Sequence, residues 1–219
     1  MKRYERRILE YDFSNLPNNY VAELERTSLA SSNFEQTMSA MGGSIGYPAW
    51  NLLYYILLTS FPFDQKRVNV IETGTSFGFS TIILAQALKD FELEGFVHTI
   101  ELDEKRVDTA KENVHKAGVN DLVKFYVGDS REILKSLVVE LSTLHFVFLD
   151  GVHSKQGVLN EFALIHSAVK RGRGKVFFDN VSHVPIAEAL QQIKKEFKGN
   201  LITFDNCSWG PAGCSLWQA

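Results

Sequence analysis

The sequence predicts an α/β fold: a doubly wound, mostly parallel seven-stranded sheet with helices on both faces and an antiparallel terminal hairpin. Three observations predict it. Apolar, β-rich runs at 68–72, 96–100, 123–127, 145–149 and 175–178 alternate with helical stretches, and such alternation builds a parallel sheet covered on both sides. The helical stretches carry apolar residues three and four apart, Val107, Ala110, Val114 and Ala117 in one and Val158, Phe162 and Ile165 in another. That is the stripe a helix buries against a sheet. Beyond residue 180 the order changes to a helix over 185–197, then "LITFDN", the turn signal "SWGPAG" and "CSLWQ", which reads as an antiparallel hairpin.

Taken in order, residues 1–45 are polar and rich in Asn and Ser, with "NLPNN" ahead of a short helix and "MGGSIG" ahead of another at 48–59. They are expected to form an appendage or lid, and residues 46–219 the domain proper. A chain of 219 residues that is 45% hydrophobic buries roughly 70% of its unfolded surface around one core, so a single domain is expected overall. The first strand leads through "TGTSFG" into a helix beginning near Ser80, and the later strands end in "HTIELDEKRV", "VGDSRE", "FVFLDGVHSKQG" and "VFFDNVSH".

Composition excludes several function classes. A net charge of -3 with a pI near 6.1 provides no single-sign field for phosphate backbones or anionic lipid, so no nucleic-acid partner is expected. The opening "MKRYERRILEYDF" is charged without a following apolar segment, and no window holds the 18 or so apolar residues of a span, so no membrane partner and a cytoplasmic location are expected. Cys207 and Cys214 are the only cysteines. Two cysteines neither frame a secreted scaffold nor match zinc spacing, and they are expected reduced and buried, with pairing across the hairpin as the alternative.

The candidate site follows from the strand ends, because ligands of doubly wound sheets bind beyond the carboxyl ends of the strands. Gly74 and Gly78 open the first turn for close approach. Their G-x-x-x-G spacing is neither the dinucleotide fingerprint nor a phosphate loop, which argues against an NAD-dependent reductase. Glu72 suits a cationic amine. Glu101 stands about 20 residues beyond the glycines, where an acid accepts ribose hydroxyls. Asp129 and Ser130 come at the next strand end, within reach of an adenine edge, although they equally suit the cap of a helix at 131–137. His98 and His145, on or beside strands, are expected as satisfied core or edge residues, and Trp209 and Pro211 as packing of the terminal turn.

These residues resemble a class I S-adenosylmethionine-dependent methyltransferase, and E-x-G-x-x-x-G-x-S, as Glu72, Gly74, Gly78 and Ser80, resembles the metal-dependent catechol and caffeoyl-CoA O-methyltransferases and their bacterial relatives. The resemblance covers roughly residues 40–219. It implies a Rossmann-like sheet, S-adenosylmethionine as cofactor and a small-molecule hydroxyl as acceptor. It implies a divalent metal, magnesium first, held by Asp150, Asp179 and Asn180, an oxygen set that suits a hard cation. Chain turning and helix capping remain the alternative for these three. It also implies that the segment around Gly43 closes over the methionine end of the cofactor, and it leaves a homodimer open. His153 stands where the catechol enzymes carry a lysine base; histidine titrates near neutrality and can take a proton there, or serve a helix start structurally. His183 is the reserve candidate. The competing function classes are a metal-free methyltransferase and a non-catalytic nucleoside-binding module.

Overall fold

The computed structural model describes residues 17–31, 36, 39–45, 49–61, 65–204 and 213–218. The elements run α1 (Asn19–Ser31), α2 (Ala49–Leu58), β1 (Arg67–Thr73), α3 (Phe79–Asp90), β2 (Glu94–Glu101), α4 (Glu104–Lys116), β3 (Val123–Val127), α5 (Ser130–Leu141), β4 (Phe146–Leu149), α6 (Lys155–Gly172), β5 (Lys175–Phe178), α7 (Val184–Glu196), β6 (Asn200–Phe204) and β7 (Cys214–Gln218). A single seven-stranded sheet has the order β3-β2-β1-β4-β5-β7-β6. The first five strands are parallel and β7 is antiparallel to both neighbours, as the alternating pattern and terminal hairpin predict.

Alternation along the strands divides the core. On one face Val68, Val70, Phe146, Phe148 and Phe177 pack against Trp50, Leu53, Ile82 and Ile83 of α2 and α3. On the other Ile71, Val147, Leu149, Val176 and Phe178 meet Leu134, Phe162, Ile165 and Ile193 of α5, α6 and α7. The stripes expected on α4 and α6 are buried as the spacing requires, except that Ala117, at the C-cap of α4, is half-buried. Helix α2, apolar almost all round, is correspondingly buried on nearly every side. Val21, Met41 and Ile45 belong to the same cluster, and Asn18 and Tyr20 bond to Gln86 of α3 and Asn113 of α4, so these early residues contribute to the core.

The terminal hairpin adopts one arrangement that its sequence leaves open. The last strand, β7, inserts between β5 and β6, because "CSLW" is buried at every position while β6 is mostly exposed and takes the edge. Cys214 is buried; Cys207, its alternative partner across the hairpin, and Trp209 and Pro211 lie outside the described residues. His98 is buried against Tyr126, with Nδ1 2.9 Å from the phenol oxygen, and burial lowers its pKa to about 4. His145 Nδ1 accepts from the Asn69 amide at 3.0 Å. Both are satisfied structural histidines.

Strand order reverses on either side of β1, which lies between β2 and β4. Crevices open at such switch points beyond the carboxyl ends of the strands.

Candidate active site

A cavity of about 530 Å³ opens at that point, walled by the turns after β1, β2, β3 and β4 and by Gly42, Gly43 and Ser44. Gly74, in the turn after β1, has φ +86°, and a Cβ there would fall 2.6 Å from the Asp150 carbonyl oxygen. Only glycine lets the two turns meet this closely. Gly78 also has positive φ, but it starts α3 against Ala110 and lies behind the cavity wall.

Glu72 points under this turn and is fully buried, accepting from the hydroxyls of Thr81 and Thr99 through Oε2. Burial, only partly offset by hydroxyl hydrogen bonds, pushes its pKa up to about 7. The Oγ of Ser44 is buried without a hydrogen-bond partner. Ser44 and Ser80 line the cavity, and Glu72 sits behind it.

At the end of β2, Glu101 faces the cavity with its carboxylate held by three amides. Oε2 accepts from Ser76 at 2.8 Å, and Oε1 accepts from Leu102 at 2.9 Å and Asp103 at 3.1 Å. Ser76 in turn donates its hydroxyl to the Gly42 carbonyl at 2.5 Å, tying the early segment to the acid. At the end of β3, Asp129 and Ser130 also line the cavity. Asp129 caps α5 and pairs with the Arg131 side chain, whose hydrogen bonds hold the carboxyl down at about 2. The capping and cavity positions therefore coexist. Ser130 donates its hydroxyl to the buried Glu161 of α6.

The last two parallel strands bring three expected residues together. The Asn180 amide donates to Asp150 Oδ1 at 3.0 Å and to Asp179 Oδ2 at 3.3 Å. Cys214 donates its thiol to Asp179 Oδ1 at 3.3 Å. Burial, then the neighbouring Asp150, pushes Asp179 up to about 7. Asp150 is likewise raised by burial, and its hydrogen bond to His153, 3.3 Å from Nε2 to Oδ1, raises the imidazole. The His183 ring stands edge-on to His153 with centroids 6.3 Å apart. Asn180 has φ +58°, a conformation that asparagine tolerates better than most residues.

Two acids, Asp179 buried and Asp150 at the cavity wall, joined by one amide fit a hard cation: the amide, turned end for end, offers an oxygen where it now donates. Without that oxygen the set is incomplete, for among the described residues no three His, Cys, Asp or Glu side chains group to hold an ion. Asp150 and His153 line the cavity; Asp179 and Asn180 stand just behind Asp150.

A family model described as a methyltransferase domain matches residues 71–181, just over half of the chain and the stretch that carries all five strand ends. The chain belongs to this methyltransferase family. It is 34% identical over 129 residues to a catechol O-methyltransferase of Mycobacterium tuberculosis, covering 58% of this chain and 53% of that protein. It is 35% identical over 84 residues to one of Niastella koreensis, covering 38% and 37%. The chain thus matches about half or less of the length of these relatives. Among solved structures, an O-methyltransferase from Bacillus cereus in complex with SAH superposes with a TM-score of 0.65 at 23% identity over 92% of this chain and 91% of that one. An SAH-bound methyltransferase of Podospora anserina superposes with a TM-score of 0.69 at 16% identity over 97% and 94%. The methyltransferase fold extends well beyond the matched segment.

The sequence reading did not find Ser76 or Glu161, and it reached Ser44 only as part of the segment around Gly43, without its buried hydroxyl. Each acts through a partner 30 or more positions away or through having none, and no local spacing marks either situation.

Proposed function

We propose that the chain is an S-adenosylmethionine-dependent methyltransferase that transfers a methyl group to a hydroxyl of a small molecule. The observation that carries this is one cavity with the amide-held Glu101 carboxylate on one wall and the Asp150–His153 pair on another. Glu101, its oxygens fixed by backbone, accepts the two ribose hydroxyls. Asp129 and Ser130 meet the adenine edge. The Ser44 Oγ, buried without a partner, and the Ser80 side of the cavity, with Glu72 bonded behind it, offer hydrogen bonds to the charged amino-acid end, with space left by the open turns at Gly43 and Gly74. Buried polar atoms left unpaired are costly, and a zwitterionic ligand end supplies what they lack.

The acceptor hydroxyl then lies beside His153. Its proton passes to the imidazole, the oxygen attacks the sulfonium methyl in line, the carbon–sulfur bond breaks as the carbon–oxygen bond forms, and S-adenosylhomocysteine leaves. Holding donor and acceptor in one cavity removes much of the entropic barrier. Asp150, Asp179 and Asn180 would hold a divalent cation, magnesium by their hard oxygen chemistry, which when bound favours the deprotonated acceptor oxygen. A metal-free route is the second reading, favoured by the present pairing of Asn180 and His153 with the two acids. In that route His153 is the sole base.

The test is release of S-adenosylhomocysteine over a panel of phenolic and alcoholic acceptors, with magnesium or with EDTA. Turnover that EDTA abolishes and magnesium restores supports the metal route, and turnover indifferent to both supports the metal-free route. Tight cofactor binding with no turnover on any hydroxyl would contradict both and leave a binding module.

A further inference from the structure

Glu161 sits in the middle of α6 between Val158, Phe162 and Ile165, is only 1% exposed, and has no part in the chemistry above. A carboxylate in such a place is costly unless its oxygens are satisfied. Its Oε1 accepts from the Ser130 hydroxyl, and its Oε2 accepts from the Thr73 hydroxyl at 3.3 Å. Thr73 Oγ1 itself accepts from the Gly151 amide at 3.3 Å, which leaves its own proton for Glu161. One buried acid therefore joins the last residue of β1, the first residue of α5 and, through Thr73, the loop between Asp150 and His153.

The consequence falls on Ser130, which lines the cavity. A hydroxyl has one proton and two lone pairs. With its proton committed inward to Glu161, the Ser130 oxygen can only accept on the cavity side.

We propose that Glu161 is a positioning residue for nucleoside recognition, fixing the Ser130 oxygen as an acceptor for an N–H group of the bound base. The inference rests on the reading of Ser130 as a base contact. An exocyclic amine, as in adenine, is the chemistry that such an oxygen selects, whereas a base offering only a carbonyl would meet a lone pair. Protonation of Glu161 reverses the arrangement, because the acid can then donate to Ser130 and free the hydroxyl proton to turn outward. The charged groups facing Glu161 are Asp129, which raises its pKa, and Arg131, which lowers it; burial, the larger influence, sets it at about 7. Asp129, held down at about 2, and Arg131, raised further by Asp129, both keep their charges throughout the range from pH 6 to 9.

The experiment is calorimetric titration of the full chain with S-adenosylhomocysteine at pH 8.5, on the wild type, Ser130→Ala, Glu161→Gln and the double variant, with thermal melts alongside. Loss of one such hydrogen bond is expected to weaken binding about five- to tenfold in each single variant. The double variant is expected to bind within twofold of the weaker single, since both changes remove the same contact. If Glu161→Gln does not melt cooperatively, the wild type and Ser130→Ala are compared from pH 6 to 9. Wild-type affinity should then rise several-fold as pH passes about 7, with most of that rise absent in Ser130→Ala; shared titrations cancel in the comparison. Folded Glu161→Gln binding within twofold of wild type, additive losses, or parallel pH profiles would overturn the proposal while leaving the donor reading intact. A wild type that does not bind S-adenosylhomocysteine would remove the donor reading and this proposal with it.

Discussion

His153 is the residue at which this chain departs from the lysine of the catechol methyltransferases it resembles, and at which the chemistry is most exposed to test. General-base assistance contributes about 10²- to 10⁴-fold. His153→Ala should therefore lower kcat by that order while leaving the dissociation constant for S-adenosylhomocysteine unchanged, and His153→Lys should recover part of the loss. Steady-state kinetics paired with calorimetry check this, and an unchanged kcat would make the histidine structural. The site acids around it are legible in the sequence because β4 and β5 run apolar to their last positions and are followed at once by Asp150 and by Asp179-Asn180. Asp150, Asp179 and Asn180 meet in space as that pattern implies. Glu161 was not legible: on a helix, an acid between apolar neighbours reads as a solvated position, and only the folded chain brings Thr73 and Ser130 to it. Glu72 was legible as a site acid, but its depth behind the wall was not, because Thr81 and Thr99 draw it inward from two different elements.

Helices α4, α5 and α6 all begin at the site, and each starts on a side chain that caps it: Asp103, Asp129 and Ser154. For Asp129 the cap and the proposed adenine contact are separable. Asp129→Ala should cost about 1 kcal/mol of stability through loss of the cap, and it should also weaken S-adenosylhomocysteine binding. Asp129→Asn should retain the cap and most of the stability. Thermal denaturation and calorimetry on both variants decide the matter; an alanine variant that loses stability but binds normally would leave Asp129 as a cap alone. Element existence and order followed directly from periodicity, since β1, β3, β4 and β5 begin and end within a residue or so of their apolar runs. Insertion of β7 between β5 and β6 did not, because a hairpin signal fixes pairing between its own two strands and says nothing about which of them joins the sheet. Burial decides it: Trp217, Cys214 and Leu216 need cover that only an interior strand has.

Across the whole molecule, several acids sit in the core and resist ionisation. Glu72, Glu161 and Asp179 are each pushed up to about 7, burial being the largest cause in every case. In the unfolded chain the same groups titrate near 4, so between about pH 4 and pH 7 the folded protein binds more protons and stability falls as pH rises. Stability is fully present below the unfolded values, is lost through about pH 7 and is level above it. The expected decline is on the order of a few kcal/mol, read from urea unfolding at pH 5 and pH 8, and Glu72→Gln or Glu161→Gln should shrink it. Equal stability at the two pH values would contradict the burial of these charges. The same acids lie at or behind one cavity, and that placement is the centre of the account: a nucleoside donor at Glu101 and an acceptor oxygen at Asp150 and His153. The most direct measurement is a crystal structure of the chain grown with S-adenosylhomocysteine and magnesium. The account predicts ribose hydroxyls on Glu101, the adenine amine at Ser130, the sulfur facing His153 and an ion between Asp150, Asp179 and Asn180. Nucleoside density elsewhere on the chain, or a sulfur directed away from His153, would contradict it.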